Sequence, residues 1–456
     1  MKGLDWLKDK NLLILGFARE GVDTFHFLRR LFPGKVLAVA DQSSLKQLSD
    51  DTREIIRKDS RIKSFFGPDC LNRVGDYEVI IKSPGIPPKV LKPYLKKGQI
   101  ITSQTEIFLE NCPGKIIGVT GTKGKSTTTS LIYEVLKEGG LKAHLVGNIG
   151  KPVLSLLLKA KKEDIFVYEL SSHQLMSLKK SPSVAVFLNI YPEHLDYYGS
   201  FDKYLKAKQN ICRHQKSSDF FLFNPEGKDV KKTALLTRAK KISLDSKKAE
   251  RFLGKSRLHQ GFGGQGGRVR LLGRFNLLNI ATAIEIGRLF GVEESLIAKA
   301  IRAFKPLPHR LEPAGEYRGI KFYNDSLATI PEATVAAFDA LGEDVQTIFL
   351  GGFDRGLDFK NLARKILSSQ VETLIFFPTT GKKIWQAILN EKWSKERFFN
   401  HFFVDTMKEG VKLAFEHTSK GKICLLSCAS PSFGLFKDYR ERGDLFKKFI
   451  RRHGRT

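Results

Sequence analysis

Short apolar runs separated by longer amphipathic stretches recur along the whole chain. The first is Asn11–Gly16 (NLLILG), followed by a turn holding Ala18, Arg19, Glu20 and Gly21 and a helical pattern to about Arg30; Val36–Asp41 (VLAVAD) is a second run ending in an acid. Glu78–Lys82 and Gln99–Thr102 complete a small first group, with the rigid SPGIPP turn (83–88) between them. A second group holds Ile116, Ile117 and Val119, then Ile165–Leu170 (IFVYEL) and Val184–Ile190. A third holds Phe322–Asp325, Thr347–Gly352, Thr373–Phe377 and Ile423–Ser427. Continuous apolar runs of four to seven residues, rather than alternating ones, predict strands covered on both faces, and the helical periods between them predict parallel sheets. The expected class is therefore α/β with three domains, at 1–102, 103–307 and 308–456. The lysine-rich stretch from Phe220 to Arg270, which ends in the glycine-dense Gly261–Gly267, is expected to be strand and loop. A helix is predicted over Phe275–Phe290.

The strongest chemical signal is KIIGVTGTKGKSTTTSLIYEVL (115–136), which predicts a strand, a phosphate loop and a helix. Gly121, Thr122, Lys123 and Gly124 form the turn, Lys125 is placed to reach terminal phosphates, and Ser126 or Thr127 offers a hydroxyl to Mg²⁺. Only two residues separate Gly121 from Gly124, so the spacing is tighter than the common P-loop. Glu169 closes one strand; Glu193, His194 and Asp196 follow the next, where an acid and an imidazole beside a phosphate loop suit a metal. Within the helical stretch Ser200–His214, Lys208 shares an apolar stripe with Tyr204, Leu205, Ile211 and Cys212, a costly place for a cation. Asn276 and Asn279 sit one turn apart, as helix caps or purine contacts. In the first group, Arg19, Asp41, Ser83 and Gly85 lie in the turn or at strand carboxyl ends, where open α/β sheets bind ligands. In the third, Asp325, Asp354, Arg355 and the Ser430–Ser432 turn do the same.

The chain has 456 residues and a net charge of +29. Its cations are spread widely, denser at Lys159–Lys162, Arg238–Lys248 and Phe446–Arg455; such a field favours small anionic substrates without requiring nucleic acid. The five cysteines are scattered, as expected of reduced core thiols in a cytoplasmic protein. No apolar run is long enough to span a bilayer, and no membrane partner is expected.

GTKGKST, YELSSHQL, LNIYPEHLDYYGSFDKYLKAK, LGRFNLLN, PHRLE, YNDSLAT, LGGFDRG and LSCASPSFGLFKDYRERG, in that order, resemble the Mur ligases of peptidoglycan synthesis, most closely the glutamate-adding branch. The resemblance covers nearly the whole chain. It implies a Rossmann-like N-terminal domain for a UDP-linked substrate, a central P-loop-type ATPase with a mainly parallel sheet, and a mobile Rossmann-like C-terminal domain. The implied reaction activates the carboxylate of UDP-N-acetylmuramoyl-L-alanine on ATP and adds glutamate through an acyl phosphate. It implies two Mg²⁺ sites, with Lys125 on the phosphates, Ser126 on the first ion, and Glu169 and His194 on the second. Lys208 matches a lysine that the family carbamylates. Asn276 and Asn279 match adenine-side residues, Arg310 and Asp325 the pair brought to ATP by domain closure, and Asn148 a contact to the muramoyl substrate, alongside the first-domain candidates Arg19, Asp41, Ser83 and Gly85. Thr329, Arg355, Ser432 and Tyr439 match the glutamate pocket.

Three positions depart from that pattern. Leu327 and Arg355 stand where lysines are common, and Tyr439 replaces a phenylalanine. D-glutamate is the expected acceptor, with L-glutamate as the alternative, and a catalytically silent nucleotide- or nucleic-acid-binding protein is the reading from another class. A monomer is expected.

Overall fold

The computed structural model describes residues 2–254, 269–392 and 397–455. The glycine-dense stretch Gly261–Gly267 lies outside the described residues. Contacts divide the chain into two compact units, one of Met1–Ala249 with Leu278–Ile297, the other of Glu250–Leu277 with Ala298–Thr456.

The first unit contains two parallel sheets. Strands β1 (Leu12–Leu15), β2 (Leu37–Asp41), β3 (Ile62–Phe66), β4 (Val79–Lys82) and β5 (Ile100–Thr102) form one in the order β3-β2-β1-β4-β5. Strands β6 (Lys115–Thr120), β7 (Ala143–Gly147), β8 (Ile165–Glu169), β9 (Val184–Phe187), β10 (Phe220–Phe223) and β11 (Lys240–Ser243) form the other, in the order β11-β10-β9-β6-β8-β7. In both, the order reverses beside the first strand, which opens a crevice at the carboxyl ends. The helix Arg19–Leu31 follows β1 so closely that a Cβ on Gly21 would lie 2.0 Å from the Gly16 carbonyl oxygen, so this position admits only glycine. One continuous core joins the sheets: Phe108, on the helix Gln104–Asn111, packs edge-on against Phe166 at 5.1 Å and Tyr168 at 5.9 Å.

The second unit has a single sheet of β12 (Glu312–Tyr317), β13 (Ile320–Asn324), β14 (Val345–Gly351), β15 (Thr373–Phe377), β16 (Asn400–Phe403) and β17 (Ile423–Leu426), ordered β12-β13-β17-β14-β15-β16. All pairs are parallel except β12 with β13. Side chains divide by parity. Ile348, Leu350, Leu374, Phe376 and Leu425 enter one core, and Phe349, Ile375, Phe377, Cys424 and Leu426 the other, so helices cover both faces.

The α/β class with three mainly parallel sheets is as expected, but the stretch after Phe220 is not strand and loop alone. Helices Lys228–Thr233 and Ser246–Leu253 flank β11 there. Their lysine-rich exposed faces hide the apolar stripe, of which Val230, Ala249 and Leu253 are buried.

Candidate active site

The loop between β6 and the helix Lys125–Glu138 is held by side chains from β9's continuation. Asn189 clamps it, its Oδ1 accepting from Lys123 N at 2.8 Å while its Nδ2 donates to Lys123 O at 3.0 Å. Gly124, at φ 85°, caps the helix, and a Cβ there would meet Asn279 Oδ1 at 2.7 Å. Asn279 Oδ1 also accepts from Thr128 Oγ1 at 2.9 Å, which fixes Asn279 beside the loop. Asn276 is otherwise engaged: its amide donates to Leu272 O at 2.6 Å.

Lys125 Nζ donates to Gly121 O at 2.9 Å and Thr122 O at 3.0 Å, so the lysine expected on phosphates rests on loop carbonyls. Lys208 Nζ also donates to Gly121 O, at 2.8 Å, and lies 3.4 Å from Thr120 Oγ1. Lys208 is 1% exposed. Burial pushes its pKa well below the ordinary lysine value, Lys125 pushes further in the same direction, and Glu193 and Glu169 only partly oppose this. Two cations on one carbonyl oxygen are poorly compatible. Burial and the neighbouring Lys125 therefore disfavour the ammonium form at Lys208 relative to an ordinary lysine.

Glu169, at the end of β8, is 4% exposed, and its Oε2 has no hydrogen-bond partner. A buried carboxylate oxygen without a donor costs roughly 1–3 kcal/mol or more unless something cationic meets it. His194 initiates a short helix at φ 57° and stands 3.8 Å from Glu193 Oε2 through its Nε2. Burial lowers the pKa of His194, Lys208 lowers it too, and Glu193 opposes both, leaving a net preference for the neutral ring that coordinates metals. Among the described residues no three histidine, cysteine, aspartate or glutamate side chains form a ready metal cage. Ser126 and Thr127 are buried in the helix's first turn.

Other residues escaped sequence reasoning. His173, in SSHQL, packs edge-on against His194 at 5.0 Å and Tyr197 at 4.3 Å, and burial lowers its pKa to about 4. Tyr204 OH lies 3.1 Å from Thr122 Oγ1, and Tyr204's ring centroid is 5.0 Å from Lys208 Nζ. Asn189 carried a signal, an amide inside the apolar run Val184–Ile190; His173 falls in YELSSHQL, but only the folded chain brings it to His194.

Of the UDP-side candidates, Arg19, Ser83, Gly85 and Asn148 line one cavity of about 350 Å³, with Glu20 and Gln104. Arg19 donates to Gly150 O, joining the turn after β1 to the loop after β7. Asp41 is not among the lining residues; its carboxylate accepts from Phe17 N at 2.7 Å and Ser43 N at 2.8 Å, which shapes the adjoining turns.

In the second unit, Asp325 directly follows β13. Its carboxylate accepts from Leu311 N at 3.0 Å and Ser427 Oγ at 2.9 Å, and Arg310 acts on it electrostatically. Arg442, 0% exposed, donates to Ser326 O at 2.8 Å, Ser326 Oγ at 3.0 Å and Ser430 O at 3.1 Å, tying the NDS turn to the ASPS turn. Ser432 is buried in that turn, Tyr439 accepts through its carbonyl from Ser326 Oγ at 2.7 Å, and Thr329 is half-buried after β13. Arg355 is exposed, its guanidinium 5.8 Å from the ring of Phe433.

Asp325 supplies a pH test. Burial outweighs its two hydrogen bonds and Arg310, and pushes its pKa up to about 7 from 3.8. A raised folded-state value means that the proton stabilises the fold; that stability is complete below about pH 4 and is lost as pH rises through about 7. The apparent Tm of Asp325→Asn relative to the parent should therefore rise by a few degrees between about pH 5 and about pH 8. A pH-independent difference would remove Asp325 as the titrating group.

Residues 119–287 match the Mur ligase middle domain, which contains the phosphate loop, Glu169, His194 and Lys208. Three proteins named UDP-N-acetylmuramoylalanine–D-glutamate ligase are similar over nearly the full length. That of Ruminiclostridium cellulolyticum is 31% identical over 97% of both chains, that of Desulfitobacterium hafniense strain Y51 34% over 98% of this chain and 99% of its own, and that of Geobacillus kaustophilus 32% over 98% of both. The chain belongs to the Mur ligase family. Solved Mur ligase structures share its fold: MurC of Thermotoga maritima (TM-score 0.58, 17% identity, covering 97% of this chain and 99% of that one) and a MurF of Acinetobacter baumannii (TM-score 0.60, 15% identity, 96% and 90%). Within this Mur ligase, no helix among the described residues is long and apolar enough to cross a membrane.

Proposed function

We propose that this enzyme joins D-glutamate to UDP-N-acetylmuramoyl-L-alanine, converting ATP to ADP and phosphate. The observation that carries the reading is near-full-length similarity to ligases of that name, together with a glycine-rich loop flanked by a buried lysine and an orphaned carboxylate. The substrate carboxylate attacks the γ-phosphorus of ATP and ADP leaves; the glutamate amine then attacks the acyl carbon, phosphate leaves, and the amine's proton is lost.

The residues divide that work. Lys125 leaves its loop carbonyls for the phosphate oxygens, whose charge rises at transfer. Lys123, Gly121, Thr122, Gly124 and Thr127 supply the surrounding N–H groups and hydroxyls, while Asn276, Asn279, Arg310 and Asp325 serve the nucleotide. Arg19, Ser83, Gly85 and Asn148 hold the UDP-linked substrate around the 350 Å³ cavity. Thr329, Arg355, Ser432 and Tyr439 receive glutamate, with Arg355 suited to a bidentate grip on a carboxylate.

The residues present fit Mg²⁺. Ser126 would hold one ion, and Glu169 with its unpartnered Oε2, His194 and a carbamylated Lys208 would hold another. Bound Mg²⁺ supplies charge neutralisation at the phosphoryl oxygens. Lys208 suits carbamylation because burial disfavours its ammonium form, and a neutral amine adds to CO₂ with loss of a proton to give an anion. We further infer domain limits at 102/103 and 307/308, and a monomeric enzyme acting in the cytoplasm.

Phosphate release with UDP-N-acetylmuramoyl-L-alanine, ATP and Mg²⁺, run in parallel with D- and L-glutamate, tests this reading. Turnover with D-glutamate alone is expected. Turnover only with L-glutamate would reassign the pocket, and silence with both would refute the glutamate assignment.

A further inference from the structure

The basic excess has a place where the structure makes it unusual. Between Arg213 and Lys248 the sequence carries ten lysines and arginines against four acids. Two of those acids are turned to the backbone: Asp219 accepts from Lys216 N at 2.7 Å and Asp245 from Lys247 N at 2.8 Å. Lys228, Lys231, Lys232, Arg238, Lys240 and Lys241 are all exposed, and among the described residues none of them forms an ion pair. In their midst, the turn Ala234–Leu236 leaves Leu235 82% exposed and Leu236 42% exposed.

That exposure is imposed. Thr233, 0% exposed, donates through Oγ1 to Asp229 O at 2.8 Å and accepts from Gln209 Nε2 at 3.2 Å. On the other side, Thr237 donates to Gln215 Oε1 at 3.1 Å and accepts from Ala239 N at 3.1 Å. With Thr233 and Ala234 anchored inward before the leucines, and Thr237 and Ala239 after them, Leu235 and Leu236 can only project outward. Lys231 and Lys232 precede them by four residues, one helical turn.

We propose that this face, from Lys228 to Lys241, docks the enzyme reversibly on an anionic lipid bilayer surface, with the leucine pair entering the headgroup boundary. Cations alone would fit any polyanion, but two outward leucines have no partner on a phosphate backbone, whereas interfacial membrane binding combines buried apolar side chains with Lys/Arg attraction. Nothing in this needs a spanning helix. The attraction is screened by salt and is lost beyond about 10 Å at ~0.1 M ionic strength.

The test is sedimentation of the full chain with vesicles of phosphatidylcholine alone, or of phosphatidylcholine with phosphatidylglycerol. Binding is expected only to the second kind and should weaken at high salt. Lys231→Glu with Lys232→Glu should lower it at least ~25-fold, at about fivefold for each cation lost. Leu235→Ser with Leu236→Ser should lower it severalfold with the charge unchanged, and both variants should keep the parent's phosphate release in solution, showing an intact fold. Absence of binding to anionic vesicles, or binding indifferent to the leucines, overturns the proposal. So does salt-sensitive retention of duplex DNA or RNA that ignores the leucines and comes without vesicle binding, which would assign the face to nucleic acid.

Discussion

Replacing Lys208 by alanine should cut phosphate release by about 10³-fold, with part of the activity restored by added formate or acetate. The buried amine donates to the Gly121 carbonyl, and its surroundings disfavour the ammonium form. Alanine would remove the atom proposed to become a carbamate and leave a space in which a small carboxylate can stand. Lys208→Met separates this from packing. It nearly preserves volume and offers no room, so it should be equally inactive and should not respond to added carboxylates. Thermal unfolding of both variants near that of the parent would show that turnover, rather than the fold, was lost. Parental activity in either variant would take Lys208 out of the reaction.

The same lysine shows what can be read from sequence. Its position on an apolar stripe was visible from helical spacing, and the structure gives that stripe its meaning, because Lys208 shares the Gly121 carbonyl with Lys125. Central strands were legible for a related reason. β1, β4, β9 and β17 are buried at every position, and such strands appear as unbroken apolar runs. Most edge strands are not legible: β5 reads from Gln99–Thr102, but β3, β7, β12 and β16 carry no such run, and β11 is hidden in the lysine-rich stretch. Ile62–Phe66 reads IKSFF and Lys240–Ser243 reads KKIS, while Glu312–Tyr317 carries a proline and a glycine at a register shift. An edge strand needs only one covered side, and its charged or irregular residues discourage pairing with other chains. The polarity that protects it also conceals it.

The candidate site divides in the same way. Residues proposed to meet phosphate are constrained locally, by the turn from Gly121 to Gly124 and the helix after it, so the loop reads directly from its letters. Residues that position others belong to distant segments. Arg442 lies 116 residues from Ser326, to which it donates twice, and His173 meets His194 only because β8 and β9 flank β6 in the sheet. Asp41 is the converse, a strand-terminal acid whose lone pairs are used by the N–H groups of Phe17 and Ser43.

Lys125→Ala should lower phosphate release by about 10³-fold or more while leaving the affinity for UDP-N-acetylmuramoyl-L-alanine within a few-fold of the parent. In the structure Lys125 Nζ donates to the carbonyls of Gly121 and Thr122; its removal leaves the Gly121 carbonyl still paired with Lys208 and costs the fold little. In the proposed reaction the nucleotide's phosphate oxygens replace those carbonyls, and the ammonium does most as charge moves onto the leaving ADP. The loss should therefore fall mainly on kcat, with a smaller rise in the KM for ATP. The cavity lined by Arg19, Ser83, Gly85 and Asn148 contains no residue of the phosphate loop, which is why muramoyl-substrate binding should persist. Titration calorimetry with that substrate, beside single-turnover phosphate release, reads both halves. Equal loss of both would mean that Lys125 supports the architecture of the unit; loss of neither would mean that the loop is not the phosphate site.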